Sequence, residues 1–281
     1  MSSFYLMSAV VHQALLFLPM ALGIFITYRV MRLTDLTVDG SFVLGAAVFA
    51  KCSSLGIAHP ILYALGAGML CGCLTSIVME KVRPLLAGIL VLFILQSFNL
   101  MIMGRPNISL LNTQTIPVHT AALICYTLAI CSALGLTLRC KAGLLLRAYG
   151  DNPDLLQDQG YSSLVIRSAG LALSNALVVF SGVLTAQSSG FADTQMGQGM
   201  VLIGIGTVVL GQQLIKQMVN CVSFNPGIEL LSCFCGVLLY FTTMHFLLSI
   251  GVPFLFLKML IGVCLAIIMM YTGSSYAKFS R

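Results

Sequence analysis

Apolar residues run through this chain in long unbroken stretches and do not alternate with polar ones. Stretches that carry no charged residue include residues 1–28, 52–79, 84–104, 106–138, 230–257 and 259–277. Each is about as long as, or longer than, the roughly 20 residues that a helix needs to cross a bilayer. The strands of a membrane barrel alternate in polarity instead, so the pattern gives no support for strands. It predicts a helical membrane protein.

Glycine, proline and charged residues divide the chain into nine apolar segments. We predict them at residues 6–28, 36–50, 60–79, 84–103, 118–138, 164–186, 197–213, 228–248 and 254–272. The second and seventh are shorter than an ordinary span. The expected fold is therefore all-α and polytopic, with about eight to ten transmembrane helices, two of them short or broken. We expect one transmembrane domain over residues 1–281.

Composition agrees with this reading and excludes a soluble protein. Apolar residues make up 59% of the chain and charged residues only 8%, whereas an average soluble domain carries about 25% charged residues. The ten cysteines lie mostly inside apolar segments, where cysteine behaves as a small hydrophobe. Neither a disulfide nor a metal site is expected.

Positive residues between the segments predict the orientation. If all nine segments cross, one side holds ten positive residues and the other holds three. Cytoplasmic connectors carry the excess of Lys and Arg, so we expect the amino terminus outside and the carboxyl terminus in the cytoplasm. The ten are Arg29, Arg32, Lys81, Arg83, Arg139, Lys141, Arg147, Lys216, Lys278 and Arg281.

The cytoplasmic loop at residues 139–163 contains the start and stop signals of a short helix. Asn152 suits a helix cap, Pro153 the first helical position, and Gly160 the left-handed position after the end. Asp154 complements the positive start of the helix. Two turns span about 11 Å, too little for a bilayer, so the helix lies on the membrane surface or docks to a partner.

Two interpretations of this loop stay open. It is either a solvated turn between spans or a coupling helix that docks to a soluble subunit. In the second case Leu155 and Leu156 enter a groove on that subunit, and the acidic residues Asp151, Asp154 and Asp158 set the register. A helix of two turns is marginal in water and needs something to pack on.

Two other segments combine membrane depth with residues that a simple span avoids. Asp35 and Asp39 enter the second segment, where Gly40 and Gly45 loosen the helix. Residues 190–211 hold six glycines, with Asp193 near their start. In lipid, irregular backbone survives only where protein or a watery cavity satisfies its polar groups, and interrupted segments in both halves of a chain indicate a transport pathway. The alternative role of the glycines is close helix packing.

The candidate pathway residues follow from these two segments. Asn175 is added as a buried polar residue that either meets solute or bonds a neighbouring helix. Asp39 and Asp193 fit a helix end or a pathway better than a proton relay, because no second acidic residue lies deep enough to complete one. The full set is Asp35, Asp39, Gly40, Gly45, Asn175, Asp193, Gly197, Gly199, Gly204 and Gly206.

No catalytic signature appears in the chain. It contains no nucleotide-binding G-x-x-x-x-G-K-[ST] loop, no H-E-x-x-H and no G-x-S-x-G. We therefore expect a protein that is not an enzyme and whose energy source lies on another chain.

Several runs together resemble a known family. They are RLTDLTVDGSFVLGAAV at residues 32–48, RAYGDNP at 147–153, LALSNAL at 171–177, SGVLTAQ at 181–187 and GFADTQMGQGM at 190–200. The combination resembles the permease subunits of bacterial ABC importers, and most closely the branched-chain amino acid permease family, including permeases assigned to tryptophan and tyrosine uptake. The resemblance covers most of the chain, from about residue 21 to residue 216.

The resemblance implies a set of partners in the bacterial plasma membrane. They are a second permease copy, identical or different, an ATPase pair that binds ATP on the cytoplasmic face, and an extracytoplasmic binding protein that delivers an amino acid. No cofactor is implied on this chain. The ATPase-docking loop would hold Tyr149, Gly150, Asp151, Asn152, Pro153, Asp154, Leu155, Leu156 and Gly160. A stand-alone secondary transporter or channel that uses the same broken segments is the alternative.

Overall fold

The computed structural model describes residues 2–110, 117–218 and 225–253, together with residues 256, 259, 262 and 263. The described part is a helical bundle. In chain order the first four helices are α1 Ser2–Ile24, α2 Val38–Ser54, α3 Pro60–Lys81 and α4 Pro84–Met103, and the next four are α5 Thr120–Arg139, α6 Lys141–Asp151, α7 Pro153–Asp158 and α8 Ser163–Ser189. Helices α9 Met200–Met218 and α10 Pro226–Ser249 follow. A π-helical segment, Phe25–Val30, continues α1.

Six of these helices are long and apolar enough to cross a membrane. They are Met7–Val30, formed by α1 with its π-helical continuation, and α3, α4, α5, α8 and α10. Helix α2 has only 17 residues, and the apolar part of α9 is confined to Met200–Ile215. The prediction of a polytopic all-α membrane protein with two short elements is confirmed. The ninth predicted segment, at residues 254–272, falls almost entirely outside the described residues.

Two features of the fold were not predicted. Residues 141–151 form helix α6, so the loop at 139–163 holds two helices where one was expected. A short antiparallel ribbon pairs β1, Asn107–Ser109, with β2, Phe191–Asp193. Three residues in a strand are too few to show alternating polarity in a sequence, which is why the hydropathy pattern gives no sign of this ribbon.

Helix α8 lies at the centre of the bundle, packed against α1, α2 and α3. It approaches α2 closely because small residues lie at the contact. A Cβ atom at Gly182 would overlap the carbonyl oxygen of Phe42, and one at Gly45 would overlap the carbonyl oxygen of Val179. Such small-residue contacts let helices approach in lipid, where no hydrophobic effect drives them together. They fix α2 against the middle of α8.

Candidate functional site

A buried carboxylate lies just before α2. Asp35 is 5% exposed, and its Oδ1 accepts hydrogen bonds from the backbone N–H of Thr37 at 2.9 Å and from the Thr37 hydroxyl. Its Oδ2 accepts one from Nδ2 of Asn175 at 3.3 Å. Because Asn175 lies near the middle of α8, these bonds tie the start of α2 to the centre of the bundle.

Asn175 extends this tie to α2 itself. Its Oδ1 accepts a short hydrogen bond from the Ser41 hydroxyl, and its Nδ2 also donates to the carbonyl of Leu171 at 3.0 Å. Ser41 and Asn175 are both fully buried. A buried polar network is favourable only while all its members are paired. Asn175 therefore bonds a neighbouring helix, and a role in meeting the solute stays a prediction.

Asp39 joins the two short helices. It lies in the first turn of α2, and its carboxylate accepts hydrogen bonds from the backbone N–H groups of Gly199 at 3.1 Å and Val201 at 2.7 Å. These N–H groups open α9. The first N–H groups of a helix have no partner within it, and the helix dipole favours negative charge there. Asp39 therefore caps a helix that follows it by 160 residues in the chain.

The backbone that enters α9 is shaped to reach Asp39. Gly199 has φ +83°, which favours glycine because it has no Cβ. A Cβ at Gly197 would overlap the carbonyl oxygen of Asp39. These two glycines support the expectation of irregular backbone at the seventh segment. The structure thus joins Asp39 to the start of α9, whereas Asp35 and Asn175 bond each other and tie the start of α2 to α8.

The remaining pathway glycines lie inside regular helices. Helix α2 is continuous through Gly40 and Gly45, so the prediction that they loosen it is wrong. Gly40 instead faces the side chain of Leu95, and Gly204 faces that of Ile24. Gly206 is buried within α9. For Gly40, Gly45 and Gly204 the structure favours the alternative of close packing.

Asp193 lies in the ribbon instead of at the Asp39 junction. Its Oδ1 accepts from the backbone N–H of Gln195 at 2.6 Å, and its Oδ2 accepts from Nδ2 of Asn107 at 3.3 Å. The backbone N–H of Thr194 donates to the carbonyl of Pro106 at 3.0 Å. Asp193 therefore holds the turn that leads from α8 toward α9.

The short loop helix forms as its signals predict. The Asn152 side chain accepts from the N–H groups of Asp154 at 3.0 Å and Leu155 at 3.3 Å, Pro153 begins α7, and Gly160 has φ +82°. Residues 151–155 are exposed, with Leu155 49% exposed. We call this exposed stretch, residues 151–155, the docking surface, after the role that the sequence predicts for it.

Leu156 corrects the expectation that two leucines face a partner. It is 1% exposed and belongs to the chain's own core. Tyr149 is buried as well, and a Cβ at Gly150 would overlap the carbonyl oxygen of Val30. Tyr149, Gly150 and Leu156 therefore hold the loop on the bundle, and of the two leucines only Leu155 is exposed.

Two charged pairs near this loop were missed by the sequence reasoning. Arg32 has a φ of 53° and pairs with Asp151 across 2.7 Å. Arg29, in the π-helical segment, pairs with Glu229 of α10 across 3.5 Å. From the sequence, both arginines are interpreted only as positive residues that set the orientation of the chain in the membrane. Their partners lie more than a hundred residues away, so no local pattern could have revealed them.

Comparison with known proteins places these features in context. The family model described as "Branched-chain amino acid transport system / permease component" matches residues 6–271. An uncharacterized protein of Rickettsia prowazekii (strain Madrid E) is 41% identical over 263 residues, covering 91% of this chain and 93% of that protein. A tyrosine transport system permease protein of Clostridioides difficile (strain R20291) is 33% identical over 267 residues, covering 91% of this chain and 87% of that protein. No solved structure matches the chain.

Proposed function

Because the chain belongs to the family of permease components of branched-chain amino acid transport systems, we propose that it is the membrane-spanning subunit of an ATP-driven importer. Its solute is an amino acid delivered by an extracytoplasmic binding protein. The family and the six span-length helices make the chain a multi-pass transport permease. ATP coupling, the binding protein and the choice of solute belong to the proposal.

The docking surface carries the proposal of ATP coupling. It presents the exposed Leu155 beside the acidic residues Asp151 and Asp154, in a loop whose buried residues fasten it to the bundle. An apolar anchor with flanking charges suits a soluble partner, where the anchor supplies affinity and the charges supply register. We propose that this partner is the ATPase and that the loop faces the cytoplasm, with the amino terminus outside.

The junction of α2 and α9 supports a route through the chain. In transporters, half-helices point their first N–H groups at anionic groups of the solute. Here the carboxylate of the protein's own Asp39 lies at that position and holds α9 to α2. We propose that opening this junction admits the solute and that a second permease copy, identical or different, completes the route.

Tyrosine is the first solute to test. The permease of Clostridioides difficile is named for tyrosine and is 33% identical to this chain, and the family name points to branched-chain amino acids. The competing function is a stand-alone secondary transporter, which would need no ATPase. Both candidates use the same junction, so the docking surface distinguishes them.

Replacing Leu155 with Asp is expected to abolish capture of the cognate ATPase subunit. The change places a carboxylate in an apolar groove, and losing such an anchor weakens an interface by about 2 kcal/mol or more, which is over tenfold. The measurement is a pull-down of the ATPase by the tagged, detergent-purified permease. Leu155→Met keeps the apolar contact and is expected to bind like the wild type. Equal capture by Leu155→Asp would contradict the proposed docking.

A further inference from the structure

The Arg29–Glu229 pair is unusual for its position. Arg29 lies in a π-helical segment and Glu229 in the first turn of α10. Both residues lie at the ends of membrane-spanning helices, and π-helical turns are frequent at functional sites. Gln212 of α9 joins the pair by donating from Nε2 to Oε2 of Glu229 at 3.3 Å.

Neither partner of this pair is saturated. The Arg29 to Glu229 distance of 3.5 Å exceeds the 2.7 to 2.9 Å, approximately, of a strong charge-assisted bond. The Nε of Arg29 is buried and has no hydrogen-bond partner. The two side chains are 36% and 14% exposed, so both are reachable. Arg29 can bind a carboxylate, and Glu229 can bind an ammonium group.

The pair lies at the docking-loop end of the bundle. Arg32, three residues beyond Arg29, pairs with Asp151 of the docking surface. Gln212 lies in the second half of α9, whose first N–H groups bind Asp39. Arg29 and Glu229 therefore lie toward the opposite end of α9 from the Asp39 junction, on the side where solute leaves under the proposed orientation.

We propose that Arg29 and Glu229 form a binding site for the zwitterionic head group of an amino acid at the cytoplasmic end of the route. Arg29 receives the α-carboxylate, Glu229 receives the α-ammonium group, and Gln212 positions the Glu229 carboxylate. The inference rests on the proposed function. Its consequence is that amino acid inside the cell occupies the site and slows further import.

The test uses the complete transporter in proteoliposomes, with permease, ATPase and binding protein. ATP is sealed inside, and the initial uptake of radiolabelled L-tyrosine is measured with three probes inside in turn. The probes are L-tyrosine, tyramine, which lacks the carboxylate, and 3-(4-hydroxyphenyl)propionate, which lacks the ammonium group. The binding protein is outside and never meets them. L-tyrosine is expected to inhibit, and the other two are expected to inhibit at least about tenfold more weakly.

Variants separate this site from a purely structural ion pair that only stabilises the start of α10. In Arg29→Gln and Glu229→Gln the half-inhibiting L-tyrosine concentration is expected to rise at least about tenfold, because each loses a charge-assisted contact. In Glu229→Gln, L-tyrosine and the probe that lacks the ammonium group should inhibit uptake at equal concentrations. Arg29→Lys preserves the ion pair and the fold but loses the planar guanidinium group that binds a carboxylate through two N–H groups. Inhibition of uptake by internal L-tyrosine should therefore still weaken in this variant. Arg139→Gln, an exposed arginine at the same end, is the matched control.

The outcomes separate the two proposals. If no amino acid is taken up in the presence of ATP, the proposed function fails. If the wild type takes up L-tyrosine without inhibition from inside, the zwitterion site fails alone. Inhibition that is equal in Arg29→Gln, Glu229→Gln and the wild type would also overturn the site.

Discussion

Asp39→Ala is expected to reduce ATP-dependent amino acid uptake at least about tenfold while leaving ATPase binding intact. The substitution removes the carboxylate that accepts from Gly199 and Val201 at the start of α9. Hydrogen bonds to a charged group contribute about 1.5 to 3 kcal/mol each, and N–H groups left unpaired away from water carry a desolvation cost. The start of α9 should then separate from α2.

Two further variants make the Asp39 result interpretable. Asp39→Asn retains one carbonyl oxygen and is expected to transport at an intermediate rate. Glu80→Ala removes an exposed carboxylate at the end of α3 and should transport like the wild type. The measurement is uptake of radiolabelled solute, alongside ATPase capture as a check on folding. Wild-type uptake by Asp39→Ala would show that the α2–α9 junction has no part in transport.

Gly182→Ala is expected to destabilise the folded permease by about 1 to 3 kcal/mol. The added methyl would overlap the carbonyl oxygen of Phe42 in α2, and neither backbone can move without disturbing the reciprocal contact at Gly45. The measurement is the thermal unfolding midpoint of the purified protein in detergent, together with the yield of monodisperse material.

Gly66→Ala is the matched control for this packing argument. It adds the same methyl to another membrane helix, α3, at a position where nothing lies within 4 Å. Replacing glycine by alanine in an open helical position is neutral or stabilising by up to about 1 kcal/mol. Equal unfolding midpoints for Gly182→Ala and Gly66→Ala would refute the close α2–α8 contact.

Most helices of this protein can be predicted from its sequence because the chain marks their ends chemically. Pro60 and Pro84 begin α3 and α4, and Lys81 and Arg139 end α3 and α5. Within α3, α4 and α5 a charged residue occurs only in the last two positions. The signals are local and strong, since a charge inside lipid is costly. The cap of α7 at Asn152 is local in the same way and is correctly predicted.

The candidate site is less predictable because its contacts are not local. Asp35 and Asp39 stand out as acidic residues entering an apolar segment, but Asp39 meets residues 199 and 201 only after the chain folds. The burial of Leu156 beside the exposed Leu155 depends on how a two-turn helix is rotated against the bundle. The presence of glycines in the sequence does not show that Gly199 adopts a positive φ at the start of α9 whereas Gly45 allows close packing of two helices.

The central claim is that ATP hydrolysis on a partner drives amino acid transport through this chain. The most direct measurement is uptake of radiolabelled L-tyrosine and L-leucine by proteoliposomes containing the permease, the ATPase and the binding protein. A catalytically inactive ATPase and ionophores that dissipate ion gradients are tested in turn. We expect uptake that stops with the inactive ATPase and continues without ion gradients. Uptake that continues with the inactive ATPase and stops when the gradients are dissipated would contradict it.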